Sequence, residues 1–230
     1  VTSLAESSAH SRARKAQGER TRQAILESAI HIASEEGLEG LTIGRLASEM
    51  KMSKSGLFAH FGSKEELQLA TVEAAREVFI ENVVSPAFEA ERGLARLWKL
   101  CEVWFNYASQ HVFRGGCFFF AASAEFDGRP GPVRDRIAEI MREWLKLLER
   151  TVREAQDADQ LEQNIDPVQL AFEINALELG ANWAFQLYGD EKVFLKARDS
   201  ILQRLHHLSS NTSSLSLPPR QKRRRPAKKS

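Results

Sequence analysis

Little cysteine, no long apolar run and no strand-like alternation narrow this sequence before any motif is considered. Cys101 and Cys117 are the only thiols in 230 residues. Both fall in apolar helical segments, where a cysteine packs as a small hydrophobe rather than stapling a disulfide. The longest apolar stretches without a charge, Val103–Phe113 and Leu179–Gly189, are 11 residues each, against the roughly 20 that a membrane-crossing helix needs. Residues 1–18 are polar and lack the apolar stretch of a secretory leader, so the expected location is the cytoplasm. No glycine-rich phosphate loop, nucleophile elbow or Cys/His cluster at metal spacing occurs. Gly115-Gly116 only signals a helix start, and His206-His207 are adjacent rather than one turn apart. No catalytic residue, metal or cofactor is therefore expected. The rival reading as an enzyme has Cys117 as nucleophile with His111 or Glu125 as base, and rests on little else.

What the sequence does have is helical periodicity. From Glu19 to Leu208 apolar residues recur at three- and four-residue spacing, which predicts an all-α fold. Ile25, Ala29, Ile32 and Ala33 make the stripe of a first helix over 19–36, stopped by Gly37. Short helices follow at 43–50 and 54–60, and Ser63-Lys64-Glu65-Glu66 reads as a capping box opening a longer one. Leu97, Trp98, Cys101, Trp104 and Phe105 trace one later face, and Val133, Ile137, Ile140, Trp144, Leu148 and Val152 another. Asp127 to Pro132 breaks the chain between them, and two last helices span 166–188 and 191–208. The expected organisation is a flexible arm at 1–18, a first domain at 19–79, a second at 80–208 and a disordered basic tail at 209–230.

The charge is uneven. The net charge is only +1, yet residues 220–230 hold seven Lys/Arg and no acid. The rest of the chain then carries 25 basic and 31 acidic residues, so bulk charge does not mark a nucleic-acid binder. The tail could meet phosphates, adding about 0.9 to the salt slope for each one neutralised, or remain solvated and silent.

The segment 42–61 has the layout of a helix-turn-helix. Small Ala47 sits where two steeply crossed helices approach, while Leu46, Met50, Met52 and Leu57 fill the wedge. The second helix presents Ser53, Lys54, Ser55, Gly56 and His60, short or hydrogen-bonding groups suited to the edges of bases in a major groove. An ordinary helical hairpin with a solvated face has the same spacing.

The run from Thr42 to Leu67, above all Gly56-Leu57-Phe58-Ala59-His60-Phe61-Gly62-Ser63-Lys64-Glu65-Glu66-Leu67, resembles the signature of TetR-type repressors over about residues 19–79. Farther on, Gly116-Cys117, Glu125-Phe126-Asp127 and Arg129 to Arg134 resemble the ligand-binding half of one branch of that family. The resemblance implies phosphate contacts for Thr42, Lys64 and His60, and base or groove contacts for Ser53, Lys54, Ser55 and Gly56. It departs at Phe58, where the family often has Tyr, leaving van der Waals contact to sugar or thymine methyl. Lys51 stands where Gly is frequent, at a cost of roughly 1 kcal/mol if the turn is left-handed. Gly44 supplies no side chain, so Arg45 is the DNA-facing cation of its helix.

The implied partners are an inverted-repeat operator in double-stranded DNA, a second copy of the chain, and a small apolar or aromatic effector. The resemblance assigns the last two helices to the dimer interface, through Phe172, Trp183, Phe194, Ala197, Ile201 and Leu205; the alternative is purely intramolecular packing. Trp98, Trp104, Phe105, Cys117, Phe120, Trp144 and Trp183 are candidates for the effector pocket, though core packing is open to each. The polar residues Asn175, Glu178, Asn182 and Gln186 run along the helix at 166–188, either orienting the interface or facing solvent. A helical bundle without DNA binding is the remaining alternative.

Overall fold

A computed structural model describes residues 2–110, 112–209 and 218, with side chains described from residue 14 onward. His111 and the basic run 220–230 lie outside them. Ten α-helices make up the described chain: α1 (Thr2–Glu36), α2 (Ile43–Met50), α3 (Lys54–Phe58), α4 (Lys64–Phe79), α5 (Ser85–Ala87), α6 (Leu94–Ser109), α7 (Phe118–Phe126), α8 (Pro132–Asp157), α9 (Pro167–Tyr188) and α10 (Lys192–Leu208), with a wide π-turn at Ile80–Val84. Among the described residues the only extended pairing is one bridge between Leu161 and Ser209.

The helix expected to start at residue 19 instead begins at Thr2, through the segment read as a flexible arm. Ala, Glu, Arg, Lys and Gln dominate residues 5–19, and their intrinsic propensity extends the helix without an apolar stripe. The chain divides into two compact units, residues 1–81 with 110–142, and residues 82–109 with 143–230. Residues 110–142 thus fall in the same unit as the N-terminal helices.

In the first unit α1 is the spine. Ile25, Ala29, Ile32 and Ala33 are buried, as are Leu46, Leu57, Phe61, Leu67 and Val72 from α2 to α4. Gly37 ends α1 in the left-handed region at φ 84°, where glycine carries no Cβ penalty. The space a side chain would take there is filled by Glu125 of α7, whose carboxylate accepts from the Leu38 and Glu39 N–H groups at 2.7 and 3.0 Å. Gly115 touches the same end of α1: its N–H donates to Ser34 Oγ at 3.3 Å.

The second unit packs α6, α9, α10 and the C-terminal part of α8. Leu97, Cys101, Trp104, Leu148, Val152, Ile174, Ile201 and Leu205 are all buried. Asp166 caps α9 by accepting from Val168 N–H at 2.9 Å, Pro167 takes the first turn, and Gly189 closes it at φ 66°. The polarity of α9 is inside out. Asn175, Glu178 and Asn182 are 9%, 0% and 1% exposed, whereas Phe172, Trp183 and Leu187 are 60%, 49% and 60% exposed. The polar stripe therefore points inward; of its four residues only Gln186 faces outward.

Candidate nucleic-acid interface

Helices α2 and α3 and the start of α4 are built by side-chain caps. Thr42 Oγ1 accepts from Arg45 N–H at 3.0 Å, Ser53 Oγ from Gly56 N–H at 3.1 Å, and Ser63 Oγ from Glu66 N–H at 3.0 Å. Each cap satisfies a donor that the first turn cannot pair internally. The turn between α2 and α3 is made by Lys51 in the left-handed conformation, φ 54° and ψ 37°. Met52 N–H then donates to Ala47 O at 3.0 Å.

On this frame α3 is a single short helix of five residues, with only Leu57 buried. Lys54, Ser55 and Phe58 are exposed, Phe58 by 52%, and Gly56 and His60 are partly so. His60 falls in the turn after α3, beside the buried Phe61 ring, over which Arg22 of α1 lays its guanidinium at 4.8 Å. Lys54 folds back towards α2: a Cβ at Gly44 would lie 3.5 Å from its Cε and 3.7 Å from its Nζ. The bare backbone at Gly44 thus leaves room for the ammonium beside the Thr42 cap and the opening turn of α2, where free N–H groups favour an anion.

The three expected cations differ in their commitments. Arg45 is clamped by Glu36, with bonds of 2.7 to 3.1 Å, and by Glu49 at 2.8 Å. This pairing holds the Glu36 carboxyl below its ordinary range. Lys64 Nζ donates to Glu39 at 2.6 Å. Glu39 also accepts from Gln68 Nε2 at 3.3 Å and lies 3.6 Å from Arg129, and Lys64 is the main cause that lowers its carboxyl. Lys54 has no carboxylate partner among the described residues. Glu36, Glu39 and Glu49 went unremarked in the sequence, although Glu49 is legible there as an i,i+4 partner of Arg45.

The other expected site residues separate. Trp98, Trp104, Phe105 and Trp144 are buried in the second unit, while Cys117 is buried in the first and Phe120 half-buried there. Trp183 lies on the outer face of α9, with Tyr188 edge-on at 5.7 Å. Of the residues expected at a dimer interface, Phe172 and Trp183 are exposed, but Phe194, Ala197, Ile201 and Leu205 are buried within the α9–α10 packing. Val168, Leu187, Tyr188 and Leu195 join the exposed apolar set.

A capped two-helix reader resting on a spine helix, with a second all-helical unit, defines the class of helix-turn-helix proteins. Two family profiles agree: "Bacterial regulatory proteins, tetR family" matches residues 25–71, and "Tetracyclin repressor-like, C-terminal domain" matches residues 93–201. The chain belongs to the TetR family of bacterial regulatory proteins. Among curated proteins it is 46% identical over 66 residues to the HTH-type transcriptional repressor AcnR of Corynebacterium glutamicum, covering 27% of this chain and 35% of that one. The match thus spans about a third of the relative's length. Among solved structures, a TetR transcriptional regulator from Chloroflexus aurantiacus aligns with TM-score 0.79 and 21% identity, over 84% of this chain and 98% of that one. AibR in complex with isovaleryl coenzyme A and operator DNA aligns with TM-score 0.62 and 21% identity, over 81% and 97%. At such identities these two establish the shared fold.

Proposed function

We propose that the protein is a cytoplasmic transcriptional repressor that binds an inverted-repeat operator as a homodimer and releases it in response to a small molecule. The observation that carries this reading is the exposed α3 with Lys54 uncommitted beside the start of α2. A phosphate seated there would meet the ammonium, the Thr42 hydroxyl and N–H groups of the first turn. Ser53, Ser55, Gly56 and Phe58 then fall against base edges and sugar. Lys64, His60 and Arg45 contact the backbone, Lys64 by exchanging Glu39 for a phosphate. Both surface pairs are exposed, and such pairs contribute only about 0–1 kcal/mol each, so exchange costs little.

The outward apolar face of α9 supports the homodimer. Val168, Phe172, Trp183 and Leu187 would otherwise stay in water, and a two-fold copy covers them. Residues 19–79 serve as the reading domain and 80–208 as the sensing and pairing domain. Segment 110–142 lies in the first unit, so Glu125 gives the sensing half of the sequence a hold on the turn after α1. Retention on a palindromic DNA selected from a random pool tests the reading. Lys54→Ala should weaken binding about 10-fold and lower the salt slope by about 1 with an unchanged unfolding midpoint, and equal retention by both proteins would refute it.

A further inference from the structure

The inward stripe of α9 places a carboxyl where helix packing alone gives it nothing to do. Glu178 is 0% exposed, and beside the Trp144 indole N–H its carboxyl has no charged or amide partner within hydrogen-bond distance. It lies against Trp144 of α8, and burial pushes its carboxyl well above its ordinary range; burial, and after it the neighbouring Glu178, also raise the Cys101 thiol of α6. Asn175 and Asn182, each about one turn away on either side, put amide groups on the same buried face. A buried carboxyl with no more than an indole N–H beside it costs folding free energy that a leucine would not, and that sacrifice is the mark of a group kept for a ligand.

We propose that Glu178, flanked by Asn175 and Asn182, is the anchoring group of a binding site for a protonated amine carried on an apolar or aromatic body. The proposal rests on the effector-responsive reading above and gives that effector a chemical class. A lone buried carboxyl beside an indole suits an organic monocation: the ammonium displaces to solvent the proton that burial keeps on the carboxyl, its N–H groups fill both oxygens, and its body meets apolar surroundings. A divalent metal does not fit, since it needs several oxygen ligands, and no group of three metal-binding side chains exists among the described residues. The aromatic rings of this unit already accept a cation, for Arg198 lies 5.4 Å from the Trp98 ring centre.

The test is calorimetric titration of the full-length protein with matched probes: primary alkyl- and aryl-alkylammonium ions from propyl to naphthylpropyl, their neutral hydrocarbon isosteres, and the corresponding carboxylates. At least one amine should bind saturably and at least about 10-fold more tightly than its neutral isostere, and its carboxylate should not bind. Glu178→Gln, of the same shape, should weaken the amine about 10- to 100-fold and leave the isostere and operator affinity unchanged. If Glu178→Gln disturbs folding, Asn175→Leu serves as the second variant and should also reduce the preference for amine over isostere. The proposal is overturned if no amine in the series binds, if amines and isosteres bind alike, or if a folded Glu178→Gln retains amine affinity. Glu178-dependent amine binding with unchanged operator affinity upholds the site and removes the effector reading. Release of operator by an anionic or neutral compound, with no amine preference, does the reverse.

Discussion

Replacing Gly115 and Gly128 by alanine, one at a time, should move stability in opposite directions. Both glycines lie in the first unit, outside the left-handed region of backbone space. At Gly115 an added Cβ would stand 1.7 Å from the Ser34 carbonyl oxygen and 2.4 Å from its carbon, so α1 and residue 115 would have to part by more than an ångström. The forced separation costs about 1–3 kcal/mol as overpacking, and the lost Gly115 N–H bond to Ser34 adds about 1 kcal/mol. A total of about 2–4 kcal/mol corresponds to a melting midpoint lowered by roughly 5–15 °C in a chain of this size. At Gly128 the added Cβ meets nothing within 4 Å. There the smaller freedom of the unfolded chain should stabilise by about 0.4–1 kcal/mol. Urea unfolding followed by circular dichroism at one fixed protein concentration measures both. A Gly115→Ala protein within 0.5 kcal/mol of the parent would refute the close approach of residue 115 to the end of α1.

Trp183→Asp and Phe172→Asp should each shift the protein from dimer to monomer in sedimentation while leaving its helicity intact; dimers that persist at low micromolar concentration would remove this face from the interface. Glu178→Gln should alter the pH dependence of stability. Because burial raises the folded carboxyl above 4.5, the folded chain keeps a proton that the unfolded chain releases. Parent stability should therefore fall as pH rises beyond about 4.5, by up to about 1.4 kcal/mol per pH unit. The Gln variant lacks that fall, and parallel curves for the two proteins between pH 4 and 7 would contradict the assignment. Lys51→Gly should stabilise by up to about 1 kcal/mol by relieving the left-handed Lys51, and a lowered denaturation midpoint would count against it.

Local chemistry was legible in the sequence, and direction was not. Ser63 announces its cap, and Gly37 its helix end, because each acts within four residues of itself. That Glu125 fills the space over Gly37, or that Glu36 and Glu39 hold Arg45 and Lys64, depends on side chains brought together from separate helices. The apolar excess of α9 signals a helix that wants cover on two sides, and in the single chain one of those sides is exposed. Its periodicity also locates the stripe of Asn175, Glu178 and Asn182, but a period cannot say which side is the interior. Outward-facing polar residues are the usual arrangement, and here α9 reverses it. The extension of α1 to Thr2 was missed because an amphipathic stripe was the signal sought, and residues 2–18 are helical without one.

With Leu57 as its only buried member, α3 borrows its shape from the Ser53 cap and from its neighbours. Three of its five positions, Lys54, Ser55 and Phe58, are consequently available for exchange at small thermodynamic cost, while a side chain at Gly56 would press on the Ser53 cap. If α3 reads DNA as proposed, the same scaffold would tolerate different letters at Lys54, Ser55 and Phe58, and so a different operator, without refolding.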